Sequence, residues 1–203
     1  FLLYRQLGTL SLDAMAAAAA GAEDRGLLWV GGLLVLVGFG AKAGAFPLHI
    51  WLPTAHPAAP APASAVLSGV ITKTGIYGVL VLSTTVFLHD KQWGMLLAVL
   101  GAVTMVLGAV LAVLSVDLKR TLACSSISQI GFILVGTAML CLLGEHNALA
   151  VDGTILHILN HSLIKMVLFP AAGIIHLTTH SFDLNDIRGF GRGKPLLALV
   201  MGM

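Results

Sequence analysis

Lys42, Lys73 and Lys165 sit inside stretches of sequence otherwise fit for lipid, and "HILNHSLIKM" places His157, His161 and Lys165 four residues apart. At 3.6 residues per turn these last three line one helical face over some 12 Å of axis, with Thr154 three residues before the first. A charged side chain at the centre of a membrane helix costs about 2.5–3.5 kcal/mol on the insertion scale, so three cost roughly 10 kcal/mol. Lysines clamped to acids across helices would be one explanation. It needs partner carboxylates, and the span interiors hold none except Asp152 near one end. The chemical explanation is proton transfer. Desolvation narrows the free-energy gap between ammonium and amine, and a buried amine can then both take up and release a proton. Histidine does the same near neutral pH. His157 and His161 are spaced to chelate, but no carboxylate or thiolate joins them, so no metal is expected.

The stretch "GFGAKAGAFPLHIWLP", residues 38–53, sets Lys42 five residues before Pro47. Proline donates no backbone hydrogen bond and clashes with the carbonyl four residues earlier, so the helix should open near Ala43, beside Lys42. Unwound backbone in a membrane is tolerated where it is buried in protein or lines a watered cavity, and a charge at such a break is how transport sites are built. In "PASAVLSGVITKTGIYGVL", Ser64, Ser68 and Thr72 step along one face at i+4, with Lys73 and Tyr77 on the adjoining one. Those hydroxyls either hold water near Lys73 or bond back to their own helix. Gly69, Gly75 and Gly78 allow close helix packing.

The elements that position these residues follow from composition. Of 203 residues, 58% are hydrophobic and 10% charged, and the mean hydropathy is +0.97, which places the chain among integral membrane proteins. The expected fold is an all-α, polytopic transmembrane bundle with a discontinuous helix near Lys42 and Pro47. Residues 1–203 read as one transmembrane domain, with crossings near 27–56, 63–88, 93–116, 122–143 and 149–177 and truncated spans at both ends. Residues 9–20, started by Ser11 or Asp13 and ended by the cluster Glu23, Asp24 and Arg25, read as a short interfacial helix. The chain opens on Phe1 without a signal peptide and stops at Met203, nine residues into an apolar run from Pro195. It therefore reads as an internal fragment.

Loop charges give an orientation. Lys119, Arg120, Arg188, Arg192 and Lys194 fall on one side and Arg5, Arg25 and Lys91 on the other, which puts the "DLKR" and "DIRGFGRGK" loops in the cytoplasm. The net charge of +2, without a basic stripe and interleaved aromatics, excludes nucleic acid as a partner. Cys124 and Cys141, 17 residues apart in apolar segments, match neither a zinc site nor a redox pair and read as buried small hydrophobes. No internal repeat of 20–50 residues is visible.

The string "AKAGAFPLHIWLPTAHPAAPAPASAVLSGVITKTGIYG" resembles the signature of the antiporter-like membrane subunits of respiratory complex I, the large subunits of Mrp-type sodium/proton antiporters, and the membrane subunits of formate hydrogenlyase and energy-converting hydrogenases. "DLKRTLACSSISQIGFILVG" and "HILNHSLIKMVLF" resemble the next two motifs of that family, in the same order. The resemblance implies a channel half built of five helices, one of them broken, and protons passed along lysines, histidines and a glutamate at the membrane midplane. It makes Lys42 the lysine of the broken helix, Lys73 the central relay lysine, and His157, His161 and Lys165 the polar stretch joining two halves. The family's glutamate partner of Lys42 has no counterpart here.

The leading expectation is a proton-translocating subunit of a redox-driven complex, NADH:quinone or hydrogenase-linked, in the inner (plasma) membrane. The alternative is a subunit of an Mrp-type antiporter coupling Na+ to protons, and a third class is an inert scaffold. No GxGxxG, cysteine cluster or haem-ligand pattern occurs, so no cofactor and no redox site are expected on this chain; energy would arrive from a partner, and the expected partners are other membrane subunits of a redox or antiporter complex.

Overall fold

The computed structural model describes residues 1–22 and 24–202. Glu23, part of the expected charged stop, and Met203 lie outside them. The described residues are helical almost throughout, as expected. Two short helices, α1 (Leu2–Leu7) and α2 (Leu12–Ala20), precede α3 (Arg25–Ala43), and α2 occupies the stretch read as a short interfacial helix. After a connection come α4 (Trp51–Ala58) and α5 (Ala61–Val66), which runs through a π-helical turn (Leu67–Ile71) into α6 (Thr72–Thr85). Then follow α7 (Lys91–Val113), α8 (Leu118–Leu142), α9 (Ala148–Thr179) and α10 (Pro195–Met201). Among the described residues, five helical stretches are long and apolar enough to cross a membrane: Arg25–Ala43, Ala61–Thr85, Lys91–Val113, Leu118–Leu142 and Ala148–Thr179. The protein is a multi-pass integral membrane protein.

Three of the nine acids of the chain work at helix starts. Asp24, Asp90 and Asp117 are the N-caps of α3, α7 and α8, and each carboxylate accepts from backbone N–H groups of the first turn. An N-cap of this kind is worth about 1 kcal/mol, and it satisfies donors that lipid cannot. Asp90 also accepts from the Trp29 indole N–H at 3.2 Å, which ties the starts of α3 and α7 together at one end of the bundle. At the other end the "DLKR" and "DIRGFGRGK" loops meet. Leu118 N–H donates to Phe182 O at 2.8 Å and Leu184 N–H to Val116 O at 2.9 Å, so both basic loops lie on one face.

α7 and α8 pack along most of their length, and the main core joins α3, α6, α7 and α8 around Trp93, Phe87, Leu97 and Ile130. A second, smaller core lies around Phe169, Ala172 and Leu122, between α5, α8 and α9. Cys124 and Cys141 are buried free thiols.

The segment 27–56 divides at the expected place. α3 stops at Ala43 because Gly44 takes a left-handed conformation, φ +81°, and Gly44 and Ala45 N–H both return to the Gly40 carbonyl. Pro47 follows three residues on, across a cis Phe46–Pro47 bond. The break is satisfied from two sides. Phe46 N–H donates to Thr104 Oγ1 at 3.2 Å, and the Trp51 indole N–H donates to Ala41 O at 2.8 Å. Thr104 stands nine residues short of the end of α7 at Val113, so the break lies inside the bundle rather than at its surface plane.

Gly75 lets α6 approach the last turn of α3: a Cβ there would press on Ala43 N and Phe39 O. At Gly38 a Cβ would meet nothing within 4 Å. Gly75→Ala is therefore expected to destabilise the purified full-length protein by roughly 1–3 kcal/mol through overpacking. Gly38→Ala should leave stability unchanged or raise it by up to about 1 kcal/mol. Thermal unfolding in detergent compares the two, and equal unfolding temperatures would contradict the close crossing.

Candidate functional site

Two of the lysines singled out from the sequence are drawn inside. Lys73 opens α6 just beyond the π-helical turn and is 9% exposed, and Lys165 on α9 is 3% exposed. Lys42 is different. It is the second-last residue of α3, and its side chain is exposed. The sequence places it within an apolar run, but Gly44 ends the helix immediately beyond it, so Lys42 stands at a helix end and not in a helix interior.

The π-helical turn explains how Lys73 is accommodated. Within it the Thr72 N–H reaches back five residues to Leu67 O, so the Ser68 carbonyl is released from the Thr72 N–H. That carbonyl instead accepts the Lys73 ammonium at 2.5 Å and the Thr72 hydroxyl at 3.0 Å. A cation in a low-dielectric interior needs such partners, because hydrogen bonds to charged groups are worth about 1.5–3 kcal/mol and an unpaired one costs more.

Lys165 is held by α8. Its ammonium donates to Leu122 O at 2.8 Å and to Ser125 Oγ at 2.5 Å. The Leu122 carbonyl also accepts from Ser125 Oγ at 2.9 Å and Ser126 Oγ at 3.0 Å. Ser126 Oγ lies 2.7 Å from Ser68 Oγ, on the residue whose carbonyl holds Lys73. The two amines, brought from different helices, are thus attached to one polar seam of Ser68, Ser126, Leu122 and Ser125. Carbonyl oxygens carry no proton to pass on, so the seam positions the amines rather than conducting between them.

Ser125 and Ser126 escape a reading of the sequence. "CSSIS" lies in an apolar span, and only the packing of α8 between α6 and α9 turns those hydroxyls toward the lysines. For the hydroxyls that the sequence does single out, direct bonding prevails. Thr72 bonds back to its own helix, Ser64 Oγ donates to His56 O at 3.1 Å, and Ser68 meets Ser126.

His157 and His161 share the α9 face with Lys165, as the four-residue spacing requires. Their rings are nearly parallel, 11° apart, with centroids 6.4 Å apart. His161 is 3% exposed, and neither of its ring nitrogens meets a partner among the described residues. Its titratable surroundings are Lys73, Lys165 and His157. His157 is half-buried beside Phe132, centroids 5.8 Å apart, and Thr154 bonds to Ala150 O at 2.6 Å. The structure therefore brings together Lys73, Lys165, His161 and His157, and leaves Lys42 beside the helix break.

Known proteins resemble this chain in sequence and, in one solved complex, in fold. A sequence profile described as "NADH:quinone oxidoreductase/Mrp antiporter, TM" matches residues 1–203. Hydrogenase-4 component B of Escherichia coli (strain K12) is 41% identical over 174 residues, covering 82% of this chain and 26% of that protein. A Na(+)/H(+) antiporter subunit of Alkalihalophilus pseudofirmus is 35% identical over 197 residues, 97% of this chain and 39% of that protein. A chain in the structure of the membrane-bound sulfane sulfur reductase, an archaeal respiratory membrane complex, superposes with a TM-score of 0.82 at 28% identity, over 99% of this chain and 40% of that one. The chain thus spans between about a quarter and two fifths of each of these proteins.

Ser125→Ala removes one of the two acceptors of Lys165 and is expected to destabilise the purified full-length protein by about 1.5–3 kcal/mol. Ser162→Ala, on an α9 hydroxyl whose one bond among the described residues is back to Ile158 O, should cost under about 1 kcal/mol. Unfolding temperatures measured side by side check the order.

Proposed function

Because this chain belongs to the NADH:quinone oxidoreductase/Mrp antiporter transmembrane family, we propose that it is part of a proton-translocating subunit of a redox-driven membrane complex, in which Lys73, Lys165, His161 and His157 pass protons. The observation that carries the reading is the pairing of two deeply buried amines on one seam of hydroxyls and carbonyls, in spans whose sequence supplies no carboxylate between Arg25 and His89 or between Gly153 and Phe182. A group kept only for packing would be replaced without loss by an apolar side chain, which would avoid the desolvation cost. An amine that alternates between charged and neutral forms repays that cost by function.

The transfer follows from the side chains. A protonated amine releases its proton to an imidazole or a water held beside it, and the neutral amine is then ready to accept another. His161, with both ring nitrogens buried and without a protein partner among the described residues, suits a water-bridged step, since buried polar groups of this kind are normally satisfied by water. On α9 it lies one turn from Lys165 on one side and one turn from His157 on the other, and in this reading protons move along α9 by alternation of the two imidazoles. Lys42, exposed at the break, is the residue on which a charge outside this region acts. Ionising or neutralising a partner near Lys42 changes the electrostatic balance at Lys73, and a driving complex delivers its energy in that form. The partners are other membrane subunits, and the membrane is the plasma membrane.

The second reading, a sodium/proton antiporter subunit, is favoured by the likeness to the Alkalihalophilus pseudofirmus antiporter protein over nearly the whole chain. It uses the same residues with Na+ as the counter-transported ion.

The test uses the full-length protein in its complex in inverted membrane vesicles, with proton uptake followed by a pH-sensitive dye. Lys73→Ala and Lys165→Ala are each expected to reduce the rate tenfold or more. Lys73→Arg should do the same, because a guanidinium keeps its charge and does not release its proton. His161→Ala should slow uptake more than His176→Ala. Normal uptake in Lys73→Ala would leave the inert scaffold standing. Uptake that stops when Na+ is omitted would replace the first reading with the second.

A further inference from the structure

His56 has no role in the relay described so far, yet it is among the most completely enclosed polar side chains of the molecule. It sits on α4, the short helix after the break, and is 0% exposed. Its ring stacks on Phe169 of α9 at 4.5 Å and 12°. Neither ring nitrogen meets a partner among the described residues. An imidazole retained for stacking alone carries two polar atoms that phenylalanine would not, and each one left dry costs free energy. The charges that act on it are Lys165, Lys119 and Lys73. It therefore stands within electrostatic reach of both central amines and of a third lysine.

Lys119, in the "DLKR" loop motif, starts α8 and is 2% exposed. Its ammonium donates to Ala59 O at 2.5 Å, three residues past His56, and lies 4.7 Å from the centroid of Phe182. The opposite side of this corner is made by His176, whose ring stacks on Phe182 at 4.0 Å. Lys119 and His176 line a cavity of about 540 Å³ with Ala58, Pro60, Gly173 and Phe182. The cavity is open on one side and lined mostly by apolar residues, with Lys119 and His176 as the polar side chains that reach it. The cavity is at the end of the bundle where the two basic loops are joined. From Lys119 the same helix leads inward through Leu122 to Ser125 and Ser126, which hold the seam of Lys165.

We propose that His56 is a further relay residue, which with Lys119 connects the central amines to the cavity at the basic-loop face and gives the relay its access to water on that side. The proposal rests on the proton-transfer reading above and adds its route to one surface. One nitrogen of the neutral imidazole takes the proton while the other gives one up. The ring then rotates or exchanges through water to restore its tautomer, with no net change in protonation. Lys119 takes its proton from cavity water and returns to the ammonium form after each transfer. Its bond to Ala59 O holds it in the cavity lining.

A clamp between α8 and the end of α4 would explain Lys119 equally well, so the test separates clamping from transfer. It again uses the full-length protein in its complex in inverted vesicles, with the amount of assembled complex measured for every variant. His56→Phe keeps the stack on Phe169 and removes both nitrogens. Lys119→Arg keeps the positive charge and the donor to Ala59 O but does not release a proton. Both are expected to cut proton uptake at least tenfold at unchanged complex content. Full uptake in either one overturns the proposal. Should His56→Phe fail to assemble, Lys119→Arg decides, together with Ala58→Cys. That residue lines the cavity and is exposed, while the native thiols are buried. A membrane-impermeant maleimide applied from the basic-loop face should label it and slow uptake, and labelling without effect overturns the proposal. Lys73→Ala serves as the reference. If it fails while His56→Phe and Lys119→Arg pump normally, only the access route falls; if it pumps normally, the relay reading falls with it.

Discussion

The organising constraint in this molecule is the need to satisfy buried ammonium groups for which no carboxylate partner occurs among the described residues. The chain has nine acids, and three of them cap helix starts at the bundle ends. The buried lysines must then find acceptors elsewhere, and regular helices offer few, because each interior carbonyl is already taken by the N–H four residues on. Two departures answer this. A π-helical turn releases the Ser68 carbonyl for Lys73. The Leu122 carbonyl, surrounded by the hydroxyls of Ser125 and Ser126, accepts Lys165 beside its helical duties.

The break after Ala43 belongs to the same logic. An interrupted helix inside a bilayer exposes donors that would be several kcal/mol unfavourable if left alone. Here the Gly44 turn pairs two of them with the Gly40 carbonyl, and Thr104 takes the Phe46 N–H. With the backbone satisfied, Lys42 is carried at a helix end on an exposed face while Lys73 remains inside. One cation is thus open on the surface of this chain and the other is sheltered from solvent, an asymmetry on which the proposed electrostatic drive would act.

Much of this is legible in residue order. Apolar runs between polar punctuation indicate the long helices, because lipid permits few other forms. Pro47 near Lys42 indicates the break to within a residue. The spacing of His157, His161 and Lys165 indicates a common face, and α9 is continuous through all three. What escapes depends on contacts between distant segments. Lys42 reads as buried because periodicity in an apolar run does not reveal that Gly44 adopts a positive φ. The π-helical turn has no sequence signal apart from a lysine and hydroxyls in crowded succession. Ser125 and Ser126 read as ordinary span hydroxyls until α6 and α9 are packed on either side of them. His56 reads as the end of a crossing, since nothing local announces the Phe169 ring 113 residues away in sequence.

The likeness to both a hydrogenase component and an antiporter protein is physically coherent. A proton passing among amines, imidazoles and water responds to the local potential and to hydration, and neither depends on what supplies the energy. Under the proposed reading, a redox reaction that alters a charge near the break and a sodium ion at a neighbouring site would bias the same side chains by the same Coulombic means. Under that reading, the source of energy can differ without any change in the chemistry asked of Lys73, Lys165 and the two histidines. On this view the burial of the amines, rather than the identity of the energy source, is the property this region of the fold is built to maintain.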